Sequence, residues 1–138
     1  MDKETIKKLL KTAKNIAIVG CSNDPNKPSY QVAKYLKEAG YKIFPVNPKY
    51  ESILGEKCYP NLKAIESDID IVDVFRKSED IIPIAYEAID QNVKCFWMQL
   101  GIKNEEAKKL LESHNIVVIE DTCIKIFHSN MYRDEKNT

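Results

Sequence analysis

The residues best placed to do chemistry in this 138-residue chain fall in four short segments. In the first, Gly20 to Tyr30, one glycine permits close approach, Ser22 and Ser29 offer hydroxyls, Lys27 adds charge, and Pro28-Ser29-Tyr30 opens a helix whose first N–H groups lack partners. Such a turn can cradle a diphosphate, and a polar connection closed by Pro28 and Ser29 is an equally good account of it in isolation. The second segment, Asn47-Pro48-Lys49, stands where an NAD-binding protein places an acid to receive ribose hydroxyls. A cation there disfavours NAD and suits a nucleotide with an extra ribose phosphate, NADP or coenzyme A, although Asn-Pro also starts ordinary turns. The third, Val74-Phe75-Arg76, ends in one of only two arginines, able to grip a phosphate bidentately or to make a surface ion pair. The fourth, Gln99-Leu100-Gly101, would let main chain approach a ligand, or is simply a turn.

Motifs for known chemistries are missing. The four glycines, Gly20, Gly40, Gly55 and Gly101, are too scattered for the glycine-rich NAD fingerprint or a Walker loop. Zinc-protease, serine-hydrolase and paired-carboxylate patterns are absent too. Cys21, Cys58, Cys95 and Cys123 match no metal-ligand spacing, so no metal is expected and free thiols are. Cys123 and His128 with Asp121 are the only arrangement resembling a nucleophile and base, and nothing in the sequence brings them together. No catalytic residue is assigned. Cys21, in a turn before a helix, would have a lowered pKa if it faced that helix terminus, whereas a buried, inert thiol is the favoured alternative.

Charge sets the class of partner. Twenty-one basic residues balance 21 acidic ones, which argues against a nucleic-acid backbone or an anionic membrane and leaves small anionic ligands open. Residues 1–69 carry 12 basic and 8 acidic groups, residues 70–138 carry 9 and 13. Without a long apolar run or a leader-like start, a cytoplasmic location is expected. A homodimer and an unidentified protein partner both fit the sequence.

The elements that must position these segments follow from hydrophobic periodicity. Ile6, Leu9, Leu10 and Ala13 form a helical stripe over residues 2–14. Residues 15–20, 41–46, 69–75, 93–98 and 116–119 are short apolar runs of the kind buried on both faces of a parallel sheet. Between them lie a helix marked by Val32, Leu36 and Ala39 and ending near Gly40, a short helix over 61–66, a helix over 79–90 with Pro83 near its start, and a helix capped by Asn104. His114 suits that last helix's carboxyl end. Strands separated by helical crossovers predict a single domain over 1–138: α/β, doubly wound, with a mainly parallel five-stranded sheet and a polar tail from about 133. Ligands of such sheets bind outside the carboxyl ends of the strands, where the four segments lie.

Taken together, Ile16-Ala-Ile-Val-Gly-Cys-Ser22, Ser29-Tyr30, Val32-Ala-Lys-Tyr-Leu36, Gly40-Tyr-Lys-Ile-Phe-Pro-Val-Asn-Pro48, Ile53-Leu-Gly-Glu56, Asp70-Ile-Val-Asp-Val-Phe-Arg76 and Trp97-Met-Gln-Leu-Gly101 resemble the small bacterial CoA-binding proteins. These in turn are similar to the N-terminal domain of the succinyl-CoA synthetase alpha subunit. The resemblance runs from about residue 13 to 128 and implies a Rossmann-like domain holding coenzyme A or an acyl-CoA. By position, Gly20, Cys21, Ser22, Lys27, Ser29 and Tyr30 would meet phosphates and ribose, and Asn47, Pro48 and Lys49 the adenosine. Val74, Phe75 and Arg76 would flank the nucleotide, and Gln99, Leu100 and Gly101 the pantetheine arm. Thr122 and Phe127 depart from the family's D-R-C-x-K-x-E-H pattern, and Cys21 replaces a commoner aliphatic residue. The resemblance brings no catalytic histidine domain and no ATP-binding subunit. Alternatives are a small NADP-dependent oxidoreductase and an interaction subunit of a larger synthetase-like complex.

Overall fold

The computed structural model describes residues 2–136. Its sheet consists of β1 (Asn15–Val19), β2 (Lys42–Val46), β5 (Ile71–Val74), β6 (Cys95–Met98) and β7 (Val117–Ile119). All its pairings are parallel, in the order β2-β1-β5-β6-β7. The five apolar runs thus become the five strands, trimmed by one to three residues. Their side chains alternate between two packed layers, which is why both faces had to be apolar. Ile16, Ile18, Ile71 and Trp97 face α1 (Lys3–Thr12), α2 (Pro28–Glu38) and α5 (Ile124–Lys136). Ala17, Val19, Val72, Val74, Phe96 and Met98 face α3 (Ile81–Asp90) and α4 (Glu105–Ser113).

Helix boundaries follow local chemistry. Asp2 caps α1 by accepting from the Thr5 N–H at 2.8 Å, and Asn104 caps α4 by accepting from the Ala107 N–H at 2.9 Å. Pro28 occupies the first position of α2, where its missing N–H costs nothing. The segment 61–66 contracts to a 3-10 turn, Leu62–Ala64, capped by Asn61. The His114 ring nitrogen lies 3.0 Å from the Leu110 carbonyl at the end of α4.

Two elements depart from expectation. Residues 52–57 form a hairpin, β3 (Ser52–Ile53) and β4 (Glu56–Lys57), whose two-residue loop places both Leu54 and Gly55 at positive φ. That geometry suits a glycine at 55 and strains the leucine at 54. The expected polar tail from about 133 is replaced by α5, which runs through Arg133 to Lys136; residues 137–138 lie outside the described residues. Buried Ile124, His128 and Met131 supply its packing face. The Tyr35 hydroxyl and a His128 ring nitrogen are 2.8 Å apart, and the rings of Tyr35, Tyr41 and Tyr132 surround the imidazole.

One core position breaks the pattern. Asp73, on β5 between Ile18 and Trp97, is wholly buried, and neither carboxylate oxygen has a hydrogen-bond partner. Burial pushes its pKa well above the ordinary carboxylate value, so the folded protein holds it neutral.

Two predictions follow from these buried groups. Above about pH 4 the unfolded chain ionises Asp73 while the folded chain does not, so stability falls as pH rises through that range. Asp73→Val should therefore stabilise the protein at pH 7, on the order of 1–3 kcal/mol by urea unfolding, with a smaller gain at pH 3; an unchanged or lower stability at pH 7 would contradict the buried neutral acid. Burial lowers the pKa of His128, so its contribution is complete above about pH 6.5 and declines as pH falls below that value. Between pH 7 and pH 5 the wild type should lose more stability than His128→Phe.

Candidate functional site

The chain reverses its direction of travel across the sheet between β1 and β5, so their carboxyl ends form the switch point. Gly20 follows β1 with φ of +85°, and a Cβ there would lie 2.4 Å from the Phe75 carbonyl oxygen. The glycine is required first by this backbone contact rather than by approach of a ligand. Its N–H donates to the Val46 carbonyl at 2.9 Å, and the Phe75 N–H donates to the Val19 carbonyl at 2.8 Å, so the ends of three strands are tied at one point. Arg76 folds over the same spot: its Nε would be 3.2 Å from that hypothetical Cβ, and it forms no ion pair among the described residues. The Val74 side chain points into the core beneath α3, and Phe75 packs against the opposite layer.

The turn after Gly20 is built around Ser29. Its hydroxyl oxygen accepts from the Ser22 N–H at 2.9 Å, and the Ser22 hydroxyl in turn accepts from the Asp24 N–H at 3.0 Å. Lys27 is the residue before α2, but no side chain caps that helix. The first-turn N–H groups of Ser29 and Tyr30 thus remain at the positive end of the helix dipole beside the switch point. Lys27 is exposed, and Tyr30 packs partly on the core. Cys21 takes the buried, inert alternative. Its side chain is completely buried, and burial pushes the thiol up to about 12, so it is neither exposed nor activated, and only its main chain borders the turn.

Asn47 is likewise committed internally. Its amide nitrogen donates to the Cys21 carbonyl at 3.0 Å, its side-chain oxygen accepts from the Lys49 N–H at 3.0 Å, and the Cys58 thiol donates to its carbonyl at 3.4 Å. Pro48 and Lys49 are exposed. Pro48 lines a groove of about 240 Å³ at the carboxyl ends of β1 and β2, together with Val46, Arg76, Asn61, Ile84 and Glu87. Glu87 accepts from the Leu62 N–H at 2.9 Å and, like Arg76, forms no ion pair among the described residues, so the groove carries one charge of each sign. Asn61, Ile84 and Glu87 were not picked out from the sequence, because they belong to a loop and a helix rather than to a strand end.

Beyond β6, the buried side chain of Gln99 also serves the fold, its oxygen accepting from the Ile124 N–H at 3.1 Å at the start of α5. Leu100 stands out, 61% exposed, and Gly101 has open space where a Cβ would be. The Gly101 N–H donates to Asp121 at 2.7 Å. Thr122 and Phe127, the departures in the last segment, both serve Trp97: the indole N–H donates to the Thr122 carbonyl at 2.8 Å, and the Phe127 ring meets the indole edge-on. Cys123 and His128 make no bond to each other among the described residues, since His128 is held by Tyr35.

Comparison with known proteins agrees with this fold. The CoA binding domain family matches residues 14–129. The uncharacterized protein YneT of Bacillus subtilis is 43% identical over 92% of this chain and 94% of its own length. An ADP-forming acetate–CoA ligase of Methanocaldococcus jannaschii is 29% identical over 90% of this chain but only 19% of its own length. The chain therefore spans about a fifth of that enzyme. A hypothetical protein from Pyrococcus horikoshii superposes with a TM-score of 0.93 at 36% identity, covering 96% of this chain and 93% of the other. An acetyl-coenzyme A synthetase from Ca. Korarchaeum cryptofilum, solved with phosphate and ADP, gives 0.67 at 26% identity over 76% of this chain and 25% of the other. The family match over residues 14–129, on a sheet with these relatives, identifies the chain as a member of the CoA binding domain family.

Proposed function

We propose that this protein binds coenzyme A or an acyl-CoA across the carboxyl ends of its strands and performs no chemistry on it alone. One observation carries the reading: the Arg76 guanidinium, without an ion pair among the described residues, lies over Gly20, whose following turn leads into a helix, α2, that Lys27 does not cap. A guanidinium at the strand ends, with a helix start following the same glycine turn, suits a diphosphate through charge-assisted hydrogen bonds. The groove walled by Pro48, Ile84 and Leu62 offers an apolar seat for the adenine, and exposed Lys49 at its rim suits the 3′-phosphate. Membership of the CoA binding domain family supports the same ligand. A purely binding role fits the side chains: Cys21 is buried, His128 is engaged by tyrosine, and the Gln99–Gly101 loop supplies no proton donor for hydride chemistry, which disfavours the NADP reading.

Titration calorimetry tests it. Coenzyme A should bind, and Arg76→Leu should weaken binding roughly 10- to 100-fold, the loss of one or more hydrogen bonds from a charged group. Lys49→Ala should weaken coenzyme A but leave dephospho-coenzyme A unchanged. Failure of coenzyme A to bind at millimolar concentration would overturn the proposal.

A further inference from the structure

At the far end of the strand row lies a cavity of about 370 Å³ that none of the four segments explains. It is lined by Ile6 of α1, Lys103, Lys108 of α4, and Glu120, Asp121 and Thr122 after β7. It adjoins the loop after β6, because Asp121 lines it while also accepting from the Gly101 N–H, and the Asp121 N–H returns to the Ile102 carbonyl at 3.2 Å. From β1 to β7 is three strand spacings, roughly 14 Å at about 4.8 Å each. A ligand whose diphosphate sits at Gly20 and Arg76 and whose arm passes Gly101 therefore points its reactive end toward this cavity.

The lining decides what fits there. Lys108 is paired with Glu120 at 3.5 Å, and the Thr122 hydroxyl donates to the Glu120 carbonyl at 2.8 Å. Asp121 spends an oxygen on Gly101. The ammonium of exposed Lys103 pairs with no carboxylate among the described residues and is left as a donor at the wall. Positive and negative groups balance, so the cavity offers donors and acceptors without a strong net field. A long hydrocarbon chain would desolvate these groups without returning hydrogen bonds, which is costly, whereas a short acyl group bearing a hydroxyl can both donate and accept.

We infer that this cavity is an acyl subsite, and that the protein prefers short, hydrogen-bonding acyl-CoAs to long-chain ones. The inference rests on the coenzyme A reading above. The decisive measurement is an affinity series on the intact chain with coenzyme A, 3-hydroxybutyryl-CoA and dodecanoyl-CoA. The hydroxyacyl thioester should bind about tenfold more tightly than coenzyme A, the worth of one hydrogen bond to a charged group, and dodecanoyl-CoA no more tightly than coenzyme A. In Lys103→Met the ratio between hydroxyacyl-CoA and coenzyme A should fall toward one. Equal affinities for all three ligands, tighter dodecanoyl-CoA, or an unchanged ratio in Lys103→Met would overturn the subsite while leaving coenzyme A binding intact. No binding of coenzyme A itself would instead remove the reading on which it rests.

Discussion

The structure turns on the contact between Gly20 and the Phe75 carbonyl. Only a residue without a Cβ lets the chain leaving β1 lie this close to the end of β5, and any other residue would have to push one of two central strands aside. Because the Gly20 N–H also bonds Val46 at the end of β2, one residue sets the relative height of three strand ends. The candidate phosphate contacts are arranged around it: Arg76 lies over the glycine, and the turn that leaves Gly20 runs into the start of α2.

The parallel sheet was legible because strands buried on both faces must be apolar throughout, a signal that Ile16–Val19 and Cys95–Met98 carry without interruption. The apolar stripe made α1, and the Asn104 cap made α4, equally plain; the Asn104 side chain bonds the helix start as its type suggests. The hairpin was hidden by its brevity, two residues per strand. Helix α5 was hidden for a different reason. Its buried residues, Ile124, His128 and Met131, include a histidine whose place in the core is granted by Tyr35 and neighbouring rings, a tertiary fact that hydrophobic spacing does not contain.

The site was legible in position more than in role. Residues after strand ends do gather at the switch point, yet polar side chains there serve two masters. Asn47 and Gln99 satisfy buried main-chain groups, Cys21 faces inward, and Gly20 answers to a neighbouring strand. What remains free to meet a ligand is Arg76, Pro48, Lys49, Lys27, Leu100 and the N–H groups at the start of α2. Sequence shows that a polar residue is present but not whether the fold has already used its hydrogen bonds.

The placement of β1 at the middle of the row also bears on how the chain assembles. Ile16 pairs on one side with Ile43 and on the other with Ile71, so the strand nearest the beginning of the chain acquires its second neighbour only after half the sequence is available. Until then its apolar flank lacks a partner, and loop closure must be paid before the pairing rewards it. During synthesis that flank stays uncovered until β5 emerges, and an unpaired strand edge of this kind is where partly folded chains associate.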